Sequence, residues 1–437
     1  MRHPHAAARS LLFFAASGLA LSCSAEKTVE ADPELDGAAE TSEIPAALRD
    51  PQPPLLAAPL AFDEACAAGD RVTVAAVGDV LLHGPLQDQA RTRDGSDGNE
   101  DYESLWAPVV PLLQKADVTY ANFEGAADSS RAYTSYPQFN YNPLVIPALQ
   151  RAGVDVVSTA NNHALDAGGN GVRATRAAML RHAMPFSGTG EGGEVAAAEW
   201  HATTEVRPVG GGTFKLAWLA CSFASNTEAG ATNGIPDGKK QVLNCGRDRA
   251  FILDTVGKLA KTHDAVIVTP HWGVEYEVTA SRTQKDLAQG FVDAGAKIVF
   301  GNHPHVPQPY EKMVSQNDGH EAFVVHSIGN FVSNQVEGIS SSTATWKTAV
   351  MYVGLTKQPG GKVVVNGARY VPLTMKRTSK RTIVPAESSA AGAQGVATVA
   401  FAERMYHASN RLVGDAPLVT AQRLVDAGGR KALEPCR

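Results

Sequence analysis

Short polar clusters close a series of apolar runs in this chain, and that repetition constrains the fold more than any single motif does. Gly78-Asp79 follows the run Val72 to Val77, Asn122-Phe123-Glu124 follows Asp117 to Ala121, and Asn161-Asn162-His163 follows Val154 to Thr159. Pro270-His271-Trp272-Gly273 closes Ala265 to Thr269, and Gly301-Asn302-His303-Pro304-His305 closes Ala296 to Phe300. Phe214 to Ala220 and Ala322 to His326 are further runs of the same kind. Short, continuously apolar runs bounded by turn residues predict buried strands. Helix-like stretches alternate with them at Leu105 to Lys115, Pro143 to Ala152, Gly171 to His182, Arg249 to Thr262 and Ser281 to Ala294. Strands alternating with helices predict an α/β architecture, in which sites gather beyond the strand ends, where the polar clusters fall.

The flanks are of different character. Met1 to Arg9 is basic and precedes the apolar run Leu11 to Leu21, too short to span a bilayer, so residues 1–22 read as an export signal. The signal ends in Ser22-Cys23, a lipobox-like junction that makes Cys23 the expected lipidation site and the lipid the only membrane attachment. Residues 23–69, rich in Ala, Glu, Asp and Pro as far as about Pro59, are expected to be a disordered tether. The main domain is expected over 70–375, ending in a β-meander built from Val350 to Leu355, Val363 to Val365 and Ala368 to Leu373. Residues 376–437 are expected to pack on it as a loop, Ser388 to Gly395, and two helices, Val396 to Leu412 and Ala421 to Ala427.

Beyond Cys23, the even set Cys66, Cys221, Cys245 and Cys436 suits two disulfides in an exported chain. Pairing Cys66 with Cys436 would clamp the domain ends, and Cys221 with Cys245 would close a Gly/Asn-rich loop; the sequence leaves the other pairings open. A net charge of -6, with 19% charged residues, argues against a protein that coats nucleic acid.

The clusters together offer metal chemistry. Asp79 and Glu124 supply carboxylates at strand ends, Asn162 a neutral oxygen, and His271, His303 and His305 imidazoles. His303 and His305 stand two apart around Pro304, so in an extended segment they face one side. Such a mixed O/N set suits one or two divalent ions of Mn, Fe or Zn. Two such ions can clamp a phosphoryl group and activate water. His163 is a candidate general acid, with Asp166 three residues on to orient its ring.

The ordered motifs Val77 to Leu82, Ala121 to Glu124, Ala160 to Gly168, Ser187 to Gly190, His271 to Tyr276, Gly301 to Gln308 and His326 to Phe331 resemble the bacterial poly-γ-glutamate capsule synthesis family (CapA/PgsA type). That family is related to the calcineurin-like metallophosphoesterases. The resemblance implies a four-layer α/β/β/α sandwich and a cell-surface role in capsule or polymer handling. It implies Asp79, Glu124, Asn162, His271, His303 and His305 as metal ligands, His163 as the phosphate-contacting acid, and Glu275 and Tyr276 as substrate contacts. The wider superfamily carries a His two positions after its first Asp; here that place is Leu81, and the nearest imidazole, His83, is a further candidate for substrate contact. Two roles follow: a metal-dependent hydrolase acting on a phosphoester or extracellular polymer, and a non-catalytic accessory or polymer-binding protein working with membrane capsule-synthesis subunits.

Overall fold

The computed structural model describes residues 53, 55–56, 58–91, 100–192, 199–208, 211–226, 241–335, 343–413, 421–427 and 430–436. The expected signal segment, Cys23 and the tether as far as residue 52 lie outside them. Two sheets carry the fold. The first contains β1 (Asp70–Leu81), β2 (Val118–Phe123), β3 (Val156–Ser158) and β4 (Phe186–Ser187). The second contains β5 (His201–Val206), β6 (Phe214–Ser222), β7 (Ala265–His271), β8 (Ile298–Phe300), β9 (Gln308–Val314) and β10 (Glu321–Ser327). The chain then returns to the first sheet as β11 (Asn330–Ser333), β12 (Lys347–Lys357), β13 (Val363–Arg377) and β14 (Arg381–Pro385). The first sheet runs β14-β13-β12-β1-β2-β3-β4, with β11 also on β1, and the second runs β5-β6-β7-β8-β10-β9.

The helices are α1 (Gly84–Ala90), α2 (Val110–Leu113), α3 (Val145–Ala152), α4 (Gly168–Arg181), α5 (Arg249–Leu259), α6 (Arg282–Asp293) and α7 (Gly392–Tyr406). Period-2 alternation sorts the apolar side chains. Val74, Ala76 and Tyr120 meet Trp218, Ile267 and Phe300 between the sheets. Ala75 and Val77 instead face outward onto Leu86, Leu149 and Met179 of the helices covering the first sheet. Val266 and Val268 likewise meet Ile252, Val256, Leu287 and Phe291 of α5 and α6 on the outer face of the second. The result is four layers, α/β/β/α, as the family resemblance implies. Phe401, Met405 and Tyr406 of α7 join the inter-sheet core.

β1 changes partner along its length, and this change places the site. Asp70 to Ala76 pair antiparallel with β12. Asp79 to Leu81 then pair parallel with β11, Asp79 standing opposite Asn330. The crossing is so close that a Cβ on Gly78 would lie 1.7 Å from the Gly329 carbonyl oxygen, so only glycine fits.

Local expectations differ from the fold at several points. The helix expected over Leu105 to Lys115 is broken into two 3₁₀ turns and the four-residue α2, because Pro108 and Pro111 interrupt it. Val363 to Val365 and Ala368 to Leu373 form one long strand, β13. The loop expected over Ser388 to Gly395 is helical from Gly392, and α7 ends at Tyr406, short of Leu412. Ala421 to Ala427 is not a helix: it is β15 (Gln422–Ala427), paired antiparallel with β16 (Arg430–Pro435). The segment is too short for its period to separate helix from strand, and its pairing with β16 decides the outcome. The tether ends earlier than residue 69, because Leu60, Phe62 and Ala65 are buried in the inter-sheet core.

Both terminal segments are held by Cys66–Cys436, and Cys221–Cys245 closes the loop after β6. The pair of disulfides fits an oxidising, extracytoplasmic setting. Among the described residues no helix is long and apolar enough to cross a membrane. Cys66–Cys436 links residues 370 apart, so Cys436→Ser is expected to lower the unfolding free energy by about 2–4 kcal/mol. Urea titration without reductant measures it; a loss below about 0.5 kcal/mol would mean the ends are held by packing alone.

Candidate metal centre

The parallel strands of both sheets present their C-terminal ends at one edge of the sandwich. Asp79 comes from β1, Glu124 follows β2, Asn162 and His163 follow β3, His271 ends β7, and His303 and His305 follow β8. Every one of these side chains except His303, which is partly exposed, is buried.

A chain of buried hydrogen bonds fixes the first carboxylate. Asn302 Nδ2 donates to the Tyr120 hydroxyl at 3.1 Å, which lies 2.7 Å from Ser158 Oγ; Ser158 Oγ donates to Asn122 Oδ1 at 2.6 Å. Asn122 Nδ2 is thereby turned toward Asp79, donating to Oδ1 at 2.7 Å. The other oxygen, Oδ2, lies 3.2 Å from His305 Nδ1. Burial pushes the Asp79 carboxyl up, but the hydrogen bond and charge of His305, with His271 and Asn122, outweigh it and hold the group below its ordinary range.

Glu124 is the electrostatic problem of the site. Among the described residues neither carboxylate oxygen has a hydrogen-bond partner, and the side chain is fully buried. Burial, then the charge of Asp79, pushes its carboxyl up to about 8. The nearest cationic candidates are His271 Nε2 at 3.5 Å and His305 Nε2 at 3.9 Å. Burial acts to lower His305, yet Glu124 and the Asp79 hydrogen bond raise it to about 9. Burial holds His271 at about 3, and it holds His303 well below the usual range with the help of its imidazole neighbours.

The imidazoles and Asn162 converge on one another. His271 Nε2 lies 2.7 Å from Asn162 Oδ1 and 3.1 Å from His303 Nδ1. His303 and His305 do converge, although not by strand alternation: both sit at positive φ, +96° and +59°, so a left-handed loop around Pro304 aims them. Strained backbone at a cluster of this kind is where proteins store preorganisation.

Two groups of side chains that could hold a cation result. Ligand atoms of Glu124, His303 and His305 lie within 4.8 Å of one another, as do those of Asp79, Glu124 and His271. Glu124 belongs to both, with Asn162 Oδ1 beside the second. A buried carboxylate with no donor is costly unless a cation neutralises it, so the residues present fit one or two divalent ions. The O/N donor set suits Mn, Fe or Zn.

Beside the cluster, His163 Nδ1 donates to Asp166 Oδ2 at 2.6 Å, and the Phe139 amide donates to the same oxygen at 2.7 Å. Phe139 also meets the His163 ring edge-on at 4.7 Å between centroids. Sequence reasoning missed Asn226, whose side-chain amide lies 3.2 Å from His163 Nε2 and whose backbone amide donates to the Asn162 carbonyl. It missed Asn330 too, whose Oδ1 lies 3.0 Å from His305 Nδ1. The strand-end position of Asn330 was the available signal.

His83 joins neither cation group. It precedes α1, packs edge-on against Phe139 at 5.1 Å, and burial lowers it to about 3. Leu81 is buried in the outer core. Tyr276 donates its amide to the Pro304 carbonyl, and its ring lies 6.2 Å from that of His305, at the rim of the cluster; Glu275 beside it is exposed.

Residues 73–335 match the family model described as bacterial capsule synthesis protein PGA_cap. The chain is 25% identical over 323 residues to the PGA biosynthesis protein CapA of Bacillus subtilis, covering 72% of this chain and 77% of that one. To the capsule biosynthesis protein CapA of Bacillus anthracis it is 27% identical over 272 residues, 61% of each chain. Among solved structures it is similar to the calcineurin-like phosphoesterase YfkN from Bacillus subtilis, with 14% identity and a TM-score of 0.43, covering 72% of this chain and 95% of that one.

Proposed function

Since the chain belongs to the bacterial capsule synthesis protein PGA_cap family, we propose that it is an exported metal-dependent hydrolase acting on a phosphoester or on a bond of an extracellular polymer. The observation that carries the reading is Glu124, a buried carboxylate with no hydrogen bond among the described residues, shared by two groups of candidate cation ligands. Divalent ions bound there supply Lewis acidity and a water acidified toward neutral pH. The chain's own residues divide the remaining work. Asp79, Asn162, His271, His303 and His305 hold the ligand set in place, and the relay from Asn302 to Asn122 fixes Asp79. His163, oriented through Nδ1 by Asp166, presents Nε2 to deliver a proton to a leaving oxygen. Tyr276 and Glu275, at the rim, contact the substrate. Lipidation at Cys23 tethers the domain to the envelope, where membrane capsule-synthesis subunits are its partners.

Leu81 in place of the superfamily's His favours a second reading, a non-catalytic accessory or polymer-binding protein of capsule assembly. One experiment separates the two. Elemental analysis of purified wild-type and His163→Ala protein, with phosphodiesters and phosphomonoesters as substrates, is expected to show equal Mn, Fe or Zn content. Turnover in the variant is expected to be about 10²–10⁴-fold lower. Metal without turnover in the wild type favours the accessory role, and no metal in either protein removes the hydrolase reading.

A further inference from the structure

A cleft of about 740 Å³ opens beside the metal centre, between the loop that follows Ala127 and the start of α4. Its volume suits a small ligand. Asp166 joins the two places: it lines the cleft, and its Oδ2 holds His163. Its Oδ1 is buried without a hydrogen-bond partner among the described residues, and the side chain is only 1% exposed. A buried acceptor at a cleft wall is completed by a donor from a water or from a ligand.

The rest of the lining narrows the ligand's chemistry. Arg131 donates to the Ala167 carbonyl at 2.7 Å through Nη1, and its other guanidinium nitrogens make no hydrogen bond among the described residues. α4 begins without a side-chain cap on Ala167, so the amides of Gly169 and Asn170 are first-turn donors at the same wall. Gln138 adds an exposed amide. No lining residue is aromatic, which removes the stacking platform that a nucleobase or aryl group would use. The charges do not favour a polyanion: Asp128 and Asp166 stand against the single guanidinium of Arg131.

Acceptors and donors side by side, near charge balance and without rings, match a group rich in hydroxyls. We propose that this cleft binds a neutral polyhydroxylated ligand, a sugar or an open-chain polyol. Placing that group as the part of the substrate on the His163 side rests on the metal-centre reading above; the binding itself does not.

Saturation-transfer NMR and calorimetry on the exported protein test it, using a neutral hexose trisaccharide, a five-carbon polyol and a γ-linked glutamate trimer as probes. Either neutral probe is expected to bind saturably, at least about tenfold more weakly in Arg131→Ala/Gln138→Ala and equally well in His303→Ala. Both substituted side chains are exposed, and unchanged thermal unfolding checks that the double variant folds. A sugar and a polyol are told apart by which of the two binds. Binding that survives in His303→Ala without metal upholds the cleft independently of the hydrolase. The proposal is overturned if neither neutral probe binds, if the double variant binds like the wild type, or if the glutamate trimer displaces the neutral ligand.

Discussion

Glu124→Gln is expected to strip both cation positions at once, whereas His271→Ala and His303→Ala each weaken one. The reason is geometric: Glu124 is the member common to both ligand groups. A carboxylate that bridges two ions carries the negative charge that offsets their mutual repulsion, and an amide supplies none. Elemental analysis after dialysis should find close to no Mn, Fe or Zn in the variant, and phosphoester turnover should fall by about 10³-fold or more. Unfolding cannot account for that loss. Burial already disfavours the ionised form of this group, so a neutral side chain of the same shape should leave the metal-free protein at least as stable near pH 8. Retention of one full equivalent of metal would show that Glu124 serves a single position. Thermal unfolding in chelator makes the comparison.

The clustering of these side chains was legible because each member sits where an apolar run ends, and parallel strands must deliver their C-terminal ends to a common edge. Asp79 and His271 illustrate this directly, as the last or near-last residues of β1 and β7. His303 and His305 were found for a reason that did not hold. An extended segment was expected to aim them together, but positive φ at both residues does so. Backbone conformation of that kind leaves no periodic trace in a sequence.

Residues that act across long separations were less visible. Asn226 reaches His163 from 63 positions away, on a loop stapled at its base by Cys221–Cys245, and no local pattern marks it. The relay through Tyr120 and Ser158 was likewise hidden, because both read as ordinary strand residues until the sheets are stacked. Proline and pattern length explain the errors in the fold. Pro108 and Pro111 lie within an apolar stretch whose helical period is otherwise good, and Ala421 to Ala427 is too short for period alone to separate helix from strand.

Stripped of metal, the protein is expected to be most stable near pH 6.5 and to lose stability in both directions. On the acid side, His271 and His83 are held at about 3 in the fold against 6.5 in the unfolded chain, and His303 is also lowered. The unfolded chain takes up protons that the fold refuses, so stability falls as pH drops from about 6.5 toward 3. Asp79, lowered in the fold, adds to that loss at the acid end. On the alkaline side the sign reverses. His305 and Glu124 are raised, to about 9 and about 8, and keep protons that the unfolded chain releases. Their contribution is complete below the unfolded values and disappears as pH rises through 8 to 9. Between 4.5 and 6.5 Glu124 opposes the histidines, but one carboxyl is outweighed by three imidazoles. The alkaline loss is on the order of a few kcal/mol. Bound metal should reverse that limb, because ligation needs an ionised Glu124 and a neutral His305, and its stabilisation therefore grows with pH as protons are displaced. Urea midpoints at about pH 5, 6.5, 8 and 9, with chelator and with added Mn or Zn, should diverge steadily above neutrality. A metal-free protein whose stability stays flat from about pH 6.5 to 9 would mean that Glu124 and His305 do not hold their protons in the fold, and the case for a carboxylate awaiting a cation would lose its electrostatic basis.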